Sequence, residues 1–419
     1  MTSHDREILR TLARRVAEIA AWPEMAEKRA LWKRHNDLQP TRPLVLIFPE
    51  GAWAELLPDA AIQCEDAQAR SLERQLRERI YTAEHFSCDN VTENRVVVNT
   101  VVNNSGWGLE MKSHARTEER GSWSFDPVIN TPDDLKKLRV PELSVDEAAT
   151  AVRLALLQDL FGDILDVQQK SVAHISFHLM NQYTGWRGLT ETMLDMYEEP
   201  EMLHDAMAFM EAGHHQIVRQ LIDLNLLSLN NDDTYHSSGG VGYTDALPAP
   251  GFDPSHVRPC DMWASAEAQE MAQVSPEQHA EFILPYEKRL LAPFALNGYG
   301  CCEDLTRKLD DVFTIPNLRR ISISPWADVD ACAEKLRGDY IFSWKAHPAH
   351  VVGHFDPAQV RDYIAHTVAV AQEQGCVLEM ILKDTHTCEF HPERLDAWSQ
   401  IAYSLATGDE RVMAGVDIS

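Results

Sequence analysis

Ala295-Leu-Asn-Gly-Tyr-Gly-Cys-Cys-Glu-Asp-Leu-Thr306 and its distant echo, Leu382-Lys-Asp-Thr-His-Thr-Cys-Glu-Phe-His-Pro392, follow one pattern. Each starts as a short apolar run, breaks into polar residues, and sets cysteine beside carboxylate or imidazole where the run ends. Both read as strand tips carrying metal ligands. Thiolate sulfur with imidazole or carboxylate is the usual protein surrounding of zinc, and a catalytic zinc takes only three protein ligands so that one position stays open. Cysteines this far apart cannot make a local zinc finger, so the site requires a fold that brings the two tips together. The plainer reading is that buried free cysteines pack as small hydrophobes.

Outward from these tips, similar short runs recur. Pro43-Leu-Val-Leu-Ile-Phe-Pro49 reads as a first buried strand, residues 95–102 as a second, and a third lies within 164–177. Leu226-Leu-Ser-Leu-Asn230 reads as the fourth, residues 294–297 as the fifth, 320–324 as the sixth, 339–343 as the seventh and 376–382 as the eighth. Helical periodicity fills most intervals, at 67–85, 144–159, 188–197, 200–224, 276–292, onward from Asp304, and at 329–336, 357–374 and 392–405. Thr131 and Pro132 mark a further helix start. Two helices, 3–20 and 23–34, form an N-terminal helical arm (1–40) ahead of one catalytic domain (41–419). Residues 107–126, with Glu110, Lys112, His114, Arg116 and Trp123 in loose alternation, suit an inserted hairpin, and the Gly- and Pro-rich segment 237–259 suits a lid or substrate loop.

Eight strands separated by helices predict a (β/α)8 TIM barrel, whose active site gathers at the C-terminal strand ends. Those ends carry Glu50, Asn103, His178, Asp232 with Asp233 and His236, Cys301 with Cys302 and Glu303, Trp326, Lys345 with His347, and Asp384 with His386 and Cys388. A barrel sets the fifth and eighth strands across the mouth from one another, so a shared metal must sit over the axis or be reached by long loops. Asp233 and His236, beside the fifth strand, are candidate catalytic residues, since histidine near pKa ~6.5 suits proton delivery at neutral pH. Trp186, Trp263, Trp326 and His347 are candidate substrate contacts, with core packing and loop structure as the plainer readings. His214 and His215 sit in an amphipathic pattern and read as structural.

The formal net charge of −27 and pI near 5.0 oppose binding to a polyanion, so nucleic acid is excluded as a partner. No window approaches the ~18 uninterrupted apolar residues of a membrane helix, which excludes a membrane span. Eight scattered cysteines with no secretory signal point to a reducing cytoplasm. Asp384-Thr-His-Thr-Cys-Glu389 begins like the Asp-x-His-x-x-Gly of cobalamin-binding modules, but the glycine is absent, so corrinoid is not expected as a resident cofactor.

Pro127-Val-Ile-Asn-Thr-Pro-Asp-Asp-Leu-Lys-Lys-Leu before the third strand, Ser275-Pro-Glu-Gln-His-Ala-Glu-Phe-Ile-Leu-Pro-Tyr-Glu-Lys-Arg before the fifth, and the terminal strand, cysteine and Pro-Glu-Arg-Leu helix give residues 40–405 an order that resembles the uroporphyrinogen decarboxylase superfamily. The chain looks more like the zinc-dependent, corrinoid-linked methyltransferases of the O-demethylase type than like the decarboxylase, whose Arg-Gln-Ala-Gly-Arg signature is missing. Those methyltransferases carry His-x-Cys after the fifth strand and a second Cys after the eighth. Cys388 takes the second position. Cys302 takes the first in one register and Cys301 in the other, and neither register supplies the histidine, which leaves Glu303, His386 or His236 as third ligand. The resemblance implies zinc, a small methyl donor and a separate corrinoid protein whose Co(I) accepts the methyl group. Aromatic residues near strand ends favour a methoxylated aromatic donor. The alternatives are a metal-independent decarboxylase of a tetrapyrrole or small acid, and a non-catalytic barrel that docks a corrinoid protein; a homodimer is left open.

Overall fold

A computed structural model describes residues 1–114, 124–236 and 239–413 of the chain. Helix α1 (Ser3–Ala20) opens with a capping box, Thr2 Oγ1 accepting from the Asp5 amide while Asp5 accepts from the Thr2 amide. Helix α2 (Pro23–Asn36) follows, then strand β1 (Leu44–Ile47) and helix α3 (Ala67–His85). Beyond them come β2 (Arg95–Asn99), α4 (Glu147–Phe161), β3 (Asp166–Lys170), β4 (Ser176–Phe177), α5 (Pro200–Asp223), β5 (Trp263–Ala266), β6 (Leu296–Tyr299), β7 (Leu318–Ile323), β8 (Ile341–Lys345), α6 (Pro357–Glu373), β9 (Val377–Leu382) and α7 (Glu393–Thr407).

Seven of these strands make one parallel sheet in the spatial order β1, β9, β8, β7, β6, β5, β4. Neighbours in space are, after β1, neighbours in sequence read backwards, which is the order of successive right-stepping βα units. The fold is therefore mixed α/β with helices between parallel strands. Outside the free edge of β1, the Asp89 amide donates to the Val45 carbonyl at 2.7 Å and the Val45 amide donates to Asp89 Oδ2 at 2.9 Å.

Two expected strands take other places. The second expected strand shrinks to β2, which pairs with β3 in a separate two-stranded ribbon. The fourth, 226–230, forms no strand and keeps an isolated bridge from Val172 to Leu227, while β5 takes its place in the sheet. Trp263-Ala-Ser-Ala266 has too little branched apolar character to read as a strand, and pairing to Phe177 on one side and Tyr299 on the other imposes the conformation. The expected helix 276–292 divides at Ile283 (φ −121°, ψ −68°) just ahead of Pro285, whose ring cannot continue the hydrogen-bond ladder. The inserted hairpin is present as Lys112–His114 antiparallel to Ser124–Asp126; Arg116 and Trp123 lie outside the described residues. No helix among the described residues is long and apolar enough to cross a membrane.

Both faces of the sheet are buried, and alternate residues of β1 show how. Val45 and Ile47 join the large core that includes Leu395, Trp398 and Ile401 of α7, whereas Leu44 and Leu46 join Trp32 of α2, Tyr243 and Ile381. Helix α2 is thus integral to this core, whereas Leu9, Ala13 and Val16 of α1 pack in a separate cluster with Leu76, Leu157 and Phe161. Within this second cluster, Arg320 Nε donates to Glu379 Oε1 at 3.0 Å, Arg320 Nη2 donates to Asn36 Oδ1 at 2.7 Å, and His35 Nε2 meets Glu379 Oε2 at 3.2 Å. Burial opposes the Glu379 charge, but Arg320 and then His35 outweigh it and hold the carboxyl well below the usual carboxylate range. Truncation of Arg320 leaves a buried carboxylate without its cation, so Arg320→Ala is expected to lower unfolding free energy by about 3–5 kcal/mol, measured by urea denaturation, whereas the apolar pair Arg320→Met with Glu379→Leu recovers most of the loss.

Candidate functional site

The C-terminal ends of the parallel strands lie along one edge, and there the two sequence tips meet. Gly300 (φ 92°) turns the chain off β6; a Cβ there would stand 2.7 Å from Leu305 Cδ1. Cys301 and Cys302 follow, their sulfurs 3.5 Å apart, and the Cys302 thiol donates to Asp384 Oδ2 at 3.7 Å, across 82 residues of sequence. Strands β6 and β9 are separated by β7 and β8, so in a flat sheet their ends would stand about 14 Å apart at ~4.8 Å per strand. The sheet therefore curls until its edges face each other or lets the tips reach across. Asp384 (φ 58°) faces Glu50 (φ 47°) at the end of β1, and Glu50 Oε2 accepts from the Asp384 amide at 2.9 Å. Two non-glycine residues in the left-handed region, bonded to one another, mark stored backbone strain at this point.

Charges around the sulfurs are uneven. The contact with Cys302 holds the Cys301 thiol below its ordinary pKa against burial, with Lys383 assisting, while the same contact and burial push Cys302 up. Cys301 is therefore the more acidic of the two thiols. From the neighbouring strand ends come His178 after β4 and Glu267 after β5, joined through His178 Nδ1 and Glu267 Oε1. Burial works against the His178 imidazolium, but the hydrogen bond and charge of Glu267 outweigh it, and Cys301 adds to the rise. Lys345 at the end of β8 is buried, donates to Ser343 Oγ at 2.6 Å, and is pushed down to about 7 by burial. A cleft of 440 Å³ opens beside Glu50, lined by Phe48, Pro49, Trp53, Arg79 and Thr92.

The other expected residues scatter. Cys388 is tied to Glu55: its thiol donates to Glu55 Oε2 at 3.2 Å and its amide at 3.0 Å, and burial followed by the Glu55 charge raises the thiol to about 11. Glu303 is 1% exposed and is occupied by backbone, accepting from the Cys301 amide at 2.8 Å and the Ala268 amide at 3.1 Å. His386 is exposed, and its backbone packs on Gly51, where a Cβ would come 2.9 Å from the His386 carbonyl oxygen. His236 is 3% exposed and 4.5 Å from the Trp263 ring; burial and Arg320 push its pKa well down, which leaves it neutral at pH 7. Asp233 pairs with Arg95, and Asp232 with both Arg95 and Lys170, away from the cysteines. Trp186 and Trp263 are fully buried; Trp326 is 66% exposed and meets the His347 ring edge-on at 4.6 Å.

Glu55, Glu267 and Lys383 were missed as site residues. Lys383 stands inside the second tip, so position could have found it, whereas Glu267 follows a strand without an apolar run and Glu55 precedes Cys388 by hundreds of residues. Among the described residues no group of three or more His, Cys, Asp or Glu stands close enough to hold a metal ion. The expected pair, Cys302 with Cys388, is not gathered into one donor set that fits a catalytic zinc: Cys302 approaches Cys301 and Asp384 in separate pairwise contacts while Glu55 retains Cys388.

Because the folded His178 pKa is raised, the His178–Glu267 pair contributes stability that is complete below ~6.5 and is lost as pH rises through the folded value. NMR titration is expected to place the His178 imidazole above ~6.5, and Glu267→Gln is expected to bring it to ~6.5 or below. Glu55→Gln is expected to speed alkylation of Cys388 by a small thiol reagent, followed by mass spectrometry of its peptide.

No family model and no curated protein matches the chain. Among solved structures it is similar to a methyltransferase from Methanosarcina mazei, with a TM-score of 0.47 and 10% identity over 89% of this chain and 97% of that one.

Proposed function

We propose that the chain is a methyltransferase in which the Cys301 thiolate takes the methyl group of a small methoxylated aromatic compound and passes it to the Co(I) of a separate corrinoid protein. The observation that carries this reading is the meeting of the two tips, with Cys302 3.7 Å from Asp384 and 3.5 Å from Cys301 at the edge where parallel strands end. The resemblance in sequence order supplies the reaction class, and the closed eight-stranded barrel it implies agrees with the approach of β6 and β9.

In the first step a sulfur–carbon bond forms at Cys301 while the carbon–oxygen bond of the ether breaks, and the electron pair leaves with the oxygen. His178, whose pKa Glu267 raises, gives that oxygen its proton and takes over the part expected of His236. Lys383, whose charge favours the Cys301 thiolate, steadies the nucleophile before attack. In the second step Co(I) displaces the sulfur, forming the cobalt–carbon bond and returning the thiolate. The cleft beside Glu50, with Phe48 and Trp53 in a wall that also carries Glu78 and Arg79, has the size for a small aryl ether. Zinc, which the resemblance also brings, enters neither step, because the donor set does not fit it.

The test is a single turnover without corrinoid. Incubation with an aryl methyl ether is expected to add one methylene mass to the peptide bearing Cys301, and addition of a reduced corrinoid protein is expected to remove it. Cys301→Ser is expected to lower transfer by roughly 10⁴-fold or more, the scale for losing a nucleophile that works with partners. Full transfer by Cys301→Ser, or stoichiometric zinc that is lost together with activity in Cys388→Ser, overturns the thiolate route; sustained turnover with no corrinoid overturns the partner.

A further inference from the structure

We propose that Cys301 and Cys302 form a two-sulfur chelating site for trivalent arsenicals, meaning arsenous acid and its mono-organo derivatives. The pair sits half-buried at the strand-end edge, with free thiols whose sulfurs are 3.5 Å apart. That separation selects among the things two thiols can do. A disulfide needs about 2.05 Å between sulfurs and about 4.4 Å or more between Cα atoms, whereas adjacent residues across a trans peptide hold their Cα atoms at about 3.8 Å. Closing the bond here would distort the turn that Gly300 and Glu303 fix, since Glu303 grips the Cys301 amide at 2.8 Å and Ser322 Oγ donates to the Cys301 carbonyl at 2.9 Å.

A centre bonded to both sulfurs at ~2.3 Å spans roughly 3.3–3.8 Å between them when its bond angle lies between a right angle and tetrahedral, but roughly 4.6 Å when it is linear. The observed gap suits the first. A tetrahedral zinc needs further protein donors, which the described residues do not assemble. A pyramidal trivalent arsenic is satisfied by two sulfurs and one remaining substituent. Binding balances as condensation: each sulfur replaces one hydroxyl of arsenous acid, two arsenic–sulfur bonds form, two arsenic–oxygen bonds break, and each hydroxyl leaves as water with a proton from the thiol or, where the sulfur is ionised, from solvent. No electron is exchanged. The remaining hydroxyl can donate to Asp384 Oδ2, the acceptor now held by the Cys302 thiol at 3.7 Å. This inference does not rest on the methyl-transfer reading, because it needs neither a methyl donor nor a corrinoid.

The experiment uses the full chain, reduced with a phosphine so that no competing thiol is present, and titrates it with arsenous acid and, separately, phenylarsonous acid under native mass spectrometry. One arsenic per chain is expected, at the mass of the arsenical less two waters. Cys301→Ser and Cys302→Ser, each checked for an unchanged thermal melt, are expected to bind at least about 10²-fold more weakly, the gain that linking two donors confers. Cys388→Ser is expected to bind as the parent does. Undiminished binding by the Cys301→Ser, Cys302→Ser double variant overturns the site, as does an unmodified chain that takes up no arsenic while both thiols react with a small alkylating reagent.

Discussion

Glu379 is a carboxylate with no access to water, and it keeps its charge only because Arg320 and His35 surround it. An ion taken out of water costs several kcal/mol unless its partners are held in place, so this requirement fixes more than one contact. Arg320 lies on β7, Glu379 on β9, and His35 and Asn36 at the end of α2, which binds the N-terminal helix into the interior of the sheet. Segment 241–243 closes the same space, with the Val241 carbonyl accepting from Asn36 Nδ2 at 2.8 Å and the Tyr243 carbonyl at 2.6 Å. The polar centre is thus walled by apolar residues that Trp32, Leu44, Leu46 and Tyr243 supply.

At the other end of the strands, carboxylates divide the labour. Glu303 and Glu55 spend their oxygens on backbone amides, fixing the turn at Cys301 and the turn at Cys388. Hydrogen bonds from Thr387, Phe390 and Cys388 outweigh burial and keep Glu55 ionised, down to about 2. Asp384 is directed instead to a thiol, and Glu267 divides its oxygens between an imidazole and the Gln269 amide. The result is an asymmetric pair of cysteines, one made more acidic and one a hydrogen-bond donor, beside an imidazole whose pKa its neighbour raises. Such division is how one edge can hold a nucleophile and an acid at the same pH.

The sheet was legible where strands are built from branched apolar residues. Leu44–Ile47 carries a continuous apolar run and Val377–Leu382 one interrupted only by Glu379, because helices cover one face and the interior cluster the other, and such strands need no alternation. The runs at Val96–Val98 and Leu226–Leu229 look the same, yet one pairs in a side ribbon and the other makes no strand. Apolar character leaves a segment's neighbour unspecified and does not assure its burial, since Val97 is 37% exposed. Trp263-Ala-Ser-Ala266 shows the converse, small residues drawn into the sheet by β4 and β6 on either side.

By itself the sequence determined an α/β chain with parallel strands, helices at nearly every expected interval, and chemistry concentrated at two cysteine-bearing tips, because periodicity, proline and glycine act over a few residues. Which side chains face one another was decided by tertiary structure. Cys302 reaches Asp384, Cys388 is held by Glu55, and the pKa of His178 is raised while that of His236 is lowered, since a partner, a distance and a dielectric surrounding exist only after strands distant in sequence become neighbours. A histidine reads alike in both places until burial beside Arg320 lowers one pKa and Glu267 raises the other.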